Sequence, residues 1–358
     1  MTTATAPNPL VTVIMPIRNE EAFLGRCLDS VAAGDFPLDQ LEVLILDGDS
    51  TDRSVGIAES YRNRIPGLKV IPNPARIQSA AFNLALGAAR GEFVVRMDAH
   101  TIYAPDYVSR CVHLLRTSGA ANVGGPQRSV GETALTKAIA CAVSSRFGAG
   151  DASSRYAQED VWADTVYLGS WRTETLRRLG GMRAEWAVNE DYEMNYRLRQ
   201  AGGKILVSPS IKSSYFVRGS IPKLARQYFR YGFWKVRTLL AHPASLRWRQ
   251  MVAPGLAGYL LTLVVTVPVF GWPALLPLGA YLAGLGVAVS VGAREPGVPW
   301  WYLPAIYPVI HLSYGSGFLL GWFRWLPERS RDRRNAPVST PADRSDGSAP
   351  DPAAPSSA

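Results

Sequence analysis

Residues 11–52 read VTVIMPIRNEEAFLGRCLDSVAAGDFPLDQLEVLILDGDSTD. Two unbroken apolar runs, VTVIMPI and LEVLILD, flank EEAFLGRCLDSVA, whose apolar residues recur at helical intervals. β-Branched runs bounded by Asp, Gly and Pro read as strands buried on both faces, and the segment between them as a crossover helix. The alternation continues through DRSVGIAESYRNR, LKVIPN, SAAFNLALGAARG and EFVVRMD. This order predicts an α/β fold with a mainly parallel sheet, whose ligands bind beyond the carboxyl ends of the strands.

The composition agrees with a folded enzyme-sized domain. The chain has 358 residues, 47% hydrophobic and 10% aromatic, with Gly and Pro dispersed, which excludes collagen-like, coiled-coil and wholly disordered classes. Cys27, Cys111 and Cys141 are too few and too scattered for a disulfide framework or a CxxC metal knuckle. The opening MTTATAPNPL lacks the basic start and apolar run of a signal peptide, so residues 1–10 read as a flexible lead and the first domain as cytoplasmic.

The net charge of +9 is a local feature. Between residues 195 and 294 there is no Asp or Glu, while Arg197, Arg199, Lys204, Lys212, Arg218, Lys223, Arg226, Arg230, Lys235, Arg237, Arg247, Arg249 and Arg294 are present. Residues 251–293 then carry no charge, where about twenty suffice to cross a bilayer core. Three apolar segments follow, near 252–270, 274–291 and 300–323, interrupted or flanked by Pro254, Pro268, Pro273, Pro277, Pro304 and Pro308. Basic residues beside apolar segments point to anionic lipids at the cytoplasmic face of the cell membrane. Nucleic acid is not expected, because no helix-turn-helix, RRM or zinc-finger signature accompanies the charge. Arg324, Arg329, Arg331, Arg333 and Arg334 prefer the cytoplasmic side too, which requires an even number of crossings and leaves one segment re-entrant or interfacial. The expected division is a catalytic domain over 11–231, a basic juxtamembrane segment over 232–250, membrane-associated helices over 251–326 and a disordered tail over 327–358.

Three acidic sites stand at predicted strand ends. In LILDGDSTDRS, Asp47 closes an apolar run, Gly48 permits a tight turn, and Ser50, Thr51 or Asp52 would cap the next helix. Asp47, beside the MPIRNEE turn, is placed to accept hydrogen bonds from a nucleobase or ribose. In EFVVRMDAHT, Asp98 and His100 are two residues apart, so in extended backbone they share a face and suit Mn2+ or Mg2+ on a diphosphate. A strand-end Asp capping the next turn, with His100 solvated, is the alternative. In WAVNEDYEMNYRLRQAG a helix begins near Asn189, with Asn189 as its N-cap and Glu190, Asp191 and Glu193 in the first turn. Those acids either serve the helix dipole or supply a carboxylate that takes a proton from an incoming hydroxyl.

VTVIMPIRNEE, LDGDSTD, RMDAH and NEDYEMNYRLRQAG, in this order and spacing, resemble glycosyltransferase family 2, and within it most closely the succinoglycan-type exopolysaccharide glucosyltransferases. The resemblance covers about 11–231. It implies a GT-A nucleotide-diphospho-sugar fold and an inverting hexosyltransferase whose donor is a nucleotide-diphospho-sugar. It places Asp47 on the nucleobase, Asp98 on the metal and Asp191 as the catalytic base. Pro16, Arg18 and Glu20 of the opening turn, with Asp49 and Arg76, become candidate donor contacts. Gly48 and His100 depart from the family's usual acids, and an imidazole favours Mn2+ over Mg2+. LARQYFRYGFWK matches a variant of the family's Q-x-x-R-W element through Arg226, Gln227, Arg230 and Tyr231. There Glu190, Gln227, Arg230 and Tyr231 would lie near acceptor and diphosphate, Arg230 binding phosphate oxygens. An amphipathic interfacial helix is the other reading of that segment.

The expected reaction transfers a sugar to a lipid-linked glycan acceptor in exopolysaccharide or cell-envelope synthesis. A polyprenyl-phosphate sugar transferase, a processive synthase and a catalytically silent nucleotide-sugar-binding membrane protein are the rivals.

Overall fold

The computed structural model describes residues 9–150, 153–217 and 219–335. Its strands are β1 (Val11–Ile17), β2 (Leu41–Asp47), β3 (Leu68–Pro72), β4 (Phe93–Arg96), β5 (Thr101–Tyr103), β6 (Asn122–Gly124), β7 (Arg128–Val130), β8 (Val161–Trp162), β9 (Ser170–Arg172), β10 (Ile205–Val207) and β11 (Ser213–Phe216). Eight form one sheet of order β3-β2-β1-β4-β9-β6-β10-β8, and β5, β11 and β7 form a second. β1 to β4 are parallel; β9 runs against β4 and β6, and β8 against β10. The sheet is therefore mainly parallel, as the repeating order predicts.

Strand period explains the two-sided core. Val11, Val13, Met15 and Ile17 of β1 pack with Leu24, Cys27 and Leu28 of one helix layer and Val108 and Cys111 of another. Ile14 faces the opposite way, among Phe82, Leu86, Trp171, Met194 and Leu198. The register pairs Val11 with Leu41 and Ile17 with Asp47, so β1 and β2 end level and their exit loops lie side by side. Asn19 N donates to Ser50 Oγ at 3.0 Å, Thr51 N to Asn19 Oδ1 at 2.8 Å and Glu21 N to Asp52 Oδ2 at 3.1 Å, clasping those loops together. The helix here is Ser54–Ser60, and its first amide donates to Asp52 Oδ1 at 2.9 Å.

The apolar segments form helices Arg249–Phe270, Leu276–Gly292 and Leu303–Asn335, with Pro254, Pro268 and Pro308 inside them. All three are long and apolar enough to cross a membrane, but they differ in what covers them: 17%, 6% and 39% of the apolar stretch is buried. The last helix is held against the catalytic domain. Its Leu303, Ile306, Tyr307 and Ile310 pack on Ala138, Ile139, Val143 and Leu224, and further along Phe318 and Trp325 pack on Val236 and Leu240. At the crossing, Gly232 faces the Tyr314 carbonyl and Gly317 the Phe229 carbonyl so closely that any Cβ would collide with backbone. This is how small residues let helices approach.

Two expected boundaries shift. The helix Ile221–Ala241 runs straight through position 231, so catalytic domain and basic collar share one helix. The last helix continues to Asn335, past the start of the expected tail at 327, because adding residues to a formed helix costs far less than nucleating one. Residues 1–8 and 336–358, and with them most of the expected flexible ends, lie outside the described residues.

Candidate active site

One cavity of about 1060 Å³ opens at the carboxyl edge of the sheet and continues between the catalytic domain and the apolar helices. Its sheet end is lined by Pro16, Arg18, Glu20, Arg76, Gln78, Arg96, Asp98, His100, Glu190 and Asp191. Gln227, Arg230 and Tyr231 line it from the Ile221–Ala241 helix. Val252, Leu256, Tyr281, Ile310 and Tyr314 give its other end an apolar wall. Two of the three candidate carboxylates, Asp98 after a strand and Asp191 at a helix start, thus share a chamber with most of the other candidate residues.

Asp47 stands just outside that lining. Ser50 N donates to both its carboxylate oxygens at 3.2 Å, which ties it to its own loop, while the adjacent Gly48 faces the cavity. Asp49 likewise lies outside the lining and is ion-paired with Arg76. Both candidate donor contacts therefore begin with intramolecular partners.

Asp98 and His100 do not occupy an extended segment as expected. β4 ends at Arg96, and residues 98–100 turn into β5, because Tyr103 Oη accepts the Asp98 amide at 2.7 Å and donates to the Asp98 carbonyl at 3.1 Å. The two-residue alternation of a strand does not govern them, yet both line the cavity. Asn189 occupies the cap position of the helix Glu190–Gln200 without capping it: its φ is 61°, and its Nδ2 donates to the Tyr231 carbonyl at 3.3 Å instead. That contact joins the start of the acidic helix to the Q-x-x-R-Y segment. Asn19, Asp49, Arg76 and Leu168 also have positive φ, all in loops at this edge. For a residue such as Leu168 the conformation costs about 1–3 kcal/mol, typical of loops held for a ligand.

Arg96 is the residue that the motif reading missed. Its guanidinium is 8% exposed and sits between Asp98 (Nε to Oδ1 3.6 Å) and Glu190 (Nη2 to Oε1 3.8 Å). Burial works against the charge, but Asp98 and then Glu190 outweigh it and hold the guanidinium firmly protonated. The available signal was a charged residue inside the otherwise apolar run FVVRM. Glu190 is fully buried, and burial followed by the charge of Asp191 pushes its carboxyl up to about 7 against the pull of Arg96. Glu193 differs. It is buried beneath Arg197 (2.8 Å), Arg183 (2.9 Å) and His242 (3.0 Å), whose hydrogen bonds overcome burial and hold it below the usual range. Glu193 anchors the helix, which leaves Glu190 and Asp191 as the acids that face the cavity.

The donors at the sheet end suit a hard divalent cation shared with a diphosphate. Asp98 Oδ1 is met by Gln78 Nε2 at 3.5 Å and by Arg96 Nε at 3.6 Å, and His100 Nδ1 is buried without a hydrogen-bond partner among the described residues, 3.4 Å from Glu20 Oε1. No group of three or more His, Cys, Asp or Glu converges among the described residues. A cation held by one or two protein ligands and completed by substrate phosphates needs no larger set.

A sequence profile described as Glycosyl transferase family 2 matches residues 12–149. The chain is 33% identical to the succinoglycan biosynthesis protein ExoA of Rhizobium meliloti (strain 1021) over 89% of this chain and 96% of that protein. It is 26% identical, over 87% and 96%, to the dolichyl N-acetyl-alpha-D-glucosaminyl phosphate 3-beta-D-2,3-diacetamido-2,3-dideoxy-beta-D-glucuronosyltransferase of Methanococcus voltae. Among solved structures, the mannosyltransferase PcManGT from Pyrobaculum calidifontis in complex with GDP-Man and Mn2+ superposes with a TM-score of 0.57 at 21% identity, over 86% of this chain and 87% of that one.

Proposed function

Because the chain belongs to glycosyltransferase family 2, we propose that it is a membrane-anchored inverting transferase that moves a sugar from a nucleotide-diphospho-sugar to a lipid-linked glycan acceptor. Its sheet and helices have the GT-A arrangement that the motifs imply. The observation that carries the reading is the single cavity that holds Asp98 and Asp191 at a charged end and runs on to an apolar wall between the helices. A donor diphosphate fits the first end and an amphiphilic acceptor the second.

Asp191 is the base: its carboxylate takes the acceptor proton as the oxygen attacks the anomeric carbon opposite the departing nucleotide, and one displacement inverts the configuration. Asp98, with His100, would hold a divalent cation, which supplies positive charge for the leaving diphosphate. Arg230 lines the cavity and serves the same phosphates, while Asp47 and Asp49 serve the nucleoside end once released from Ser50 and Arg76. The two relatives, one in succinoglycan biosynthesis and one acting on a dolichyl phosphate-linked sugar, favour a lipid-linked glycan and an exopolysaccharide or envelope product.

The test uses membranes containing the protein, a panel of labelled nucleotide sugars, and Mn2+ or chelator, with label followed into the lipid extract. Label from one donor, lost with chelator, is expected. Equal transfer with chelator would remove the metal from Asp98, and no label from any donor would leave a binding protein.

Glu190 gives the fold a pH signature. Its carboxyl titrates near 4.5 when unfolded and is raised to about 7 by burial and Asp191. The native chain therefore holds the proton more tightly, and the stabilisation present below pH 4.5 is lost as pH rises through 7. Thermal melting of the wild type should fall between pH 5 and pH 8 relative to E190Q, which carries no such titration; parallel curves would remove the assignment.

The anchor follows from what each apolar helix touches. We place the Arg249–Phe270 and Leu276–Gly292 helices, which with the turn between them expose Leu261, Val264, Phe270, Trp272, Leu282 and Val287, in the lipid as a hairpin that enters and leaves on the catalytic side. The third helix lies along Ile221–Ala241, whose charged face lines the catalytic cavity, so it sits at the interface. This gives the even number of crossings that the terminal arginines require. A reporter fused after Asn335 should occupy the same compartment as one fused at the N-terminus. Opposite compartments would mean three crossings.

A further inference from the structure

We propose that Lys235 forms an anion subsite in the cavity, between Tyr192 and the start of the Arg249–Phe270 helix, and takes the phosphate of an amphiphilic acceptor. The inference rests on the lipid-linked reading above and names the group by which such an acceptor is recognised.

Lys223, Gln227, Tyr231 and Lys235 follow one another at four-residue intervals along Ile221–Ala241 and all line the cavity, Lys223 next to Leu224, which packs on Ile310, and Lys235 beside Tyr192. Lys235 is the last of the stripe. It is 4% exposed, and its Nζ has no hydrogen-bond partner among the described residues. The ammonium lies 3.8 Å from the centroid of the Tyr192 ring, which is itself fixed by a hydrogen bond from Tyr192 Oη to the Ser245 carbonyl at 2.9 Å.

The charge around Lys235 does not balance. Asp164 faces it, but Arg247 (3.4 Å) and Arg249 (3.2 Å) both already reach that carboxylate, and Arg199 adds a further cation from the Glu190–Gln200 helix. Burial, helped by those arginines and opposed by Asp164, pushes the Lys235 amine down to about 7. A buried amine without a counter-ion is costly, and an arriving anion removes that cost while restoring the proton.

The surroundings select the kind of anion. Trp248, Val252, Ala253 and Tyr314 line the same end of the cavity, so a fully hydrated ion would leave its shell against apolar walls. A phosphate ester on a hydrocarbon chain satisfies both. The phosphate meets the ammonium, and the chain continues toward Leu256 and Ile310. Inorganic phosphate and the donor's own diphosphate offer the same group without the chain.

The experiment measures binding of radiolabelled farnesyl phosphate to the full chain in nanodiscs, with farnesol, inorganic phosphate and a nucleoside diphosphate as competitors. Wild-type protein should bind farnesyl phosphate about tenfold or more tighter than farnesol, as expected for a desolvated charge-assisted contact. K235M should lose that difference, K235R should keep part of it, and the donor KM should not move. Inorganic phosphate or the nucleoside diphosphate competing as well as farnesyl phosphate would overturn the amphiphile. Equal binding by K235M and wild type would overturn the residue. Should K235M fail to fold, wild-type affinity itself decides: it should weaken between pH 7.5 and pH 9 as the amine loses its proton, and a flat profile overturns the proposal. Label reaching lipid equally well with K235M sinks this subsite and leaves the transferase standing, whereas no label with wild type sinks the transferase.

Discussion

Asp191→Asn should lower transfer by about a hundred- to ten-thousand-fold while leaving nucleotide-sugar binding nearly intact. The amide keeps the size and position of the carboxylate at the start of the Glu190–Gln200 helix but accepts no proton. The loss should therefore fall on kcat, with donor affinity measured by equilibrium binding unchanged. The neighbouring Glu190 does not substitute, because its buried carboxyl is engaged with the Arg96 guanidinium. Transfer by D191N at the wild-type rate would remove the base and favour an acceptor that needs none, such as a phosphate.

The second large effect is on stability. Arg96→Met removes the guanidinium that stands between Asp98 and Glu190 and leaves the buried Glu190 and the part-buried Asp98, with Asp191 beside them, without that counter-charge. Breaking a buried pair in this way costs about 3–5 kcal/mol. The thermal midpoint in detergent should drop, and the Glu190 carboxyl should titrate above its present range. R96M/E190Q should recover part of the loss, since residues in contact are not additive. If R96M melts with the wild type, the guanidinium does not compensate the two acids.

The alternating strands and helices of 11–124 were legible because each is a local pattern, and the acids at their ends were legible because strand ends point to ligands. Arg96 was not, since nothing in FVVRM says that Glu190 will fold against it. The pairing of Asp98 with His100 failed for a related reason: an alternation argument holds only while the strand lasts, and Tyr103 ends it by binding the Asp98 backbone. The third apolar helix was ambiguous because hydropathy weighs a lipid-facing residue and a packed one alike. Gly317, within GSGFLLG, was the local sign that a second helix would lie against it. Lys235 read as part of a basic run, and only the fold separates the amine facing the cavity from the arginines already paired with Asp164.

Where Gly232 meets Tyr314 and Gly317 meets Phe229, backbone rests on backbone with no side chain to yield. The Ile221–Ala241 helix, which lines the catalytic cavity, and the Leu303–Asn335 helix are consequently locked as one rigid bracket. Were the bracket seated on lipid and the acceptor lipid-linked, as proposed, acceptor choice would become partly a matter of reach. A glycan whose free hydroxyl stood too far from its own lipid would be carried past the carboxylates.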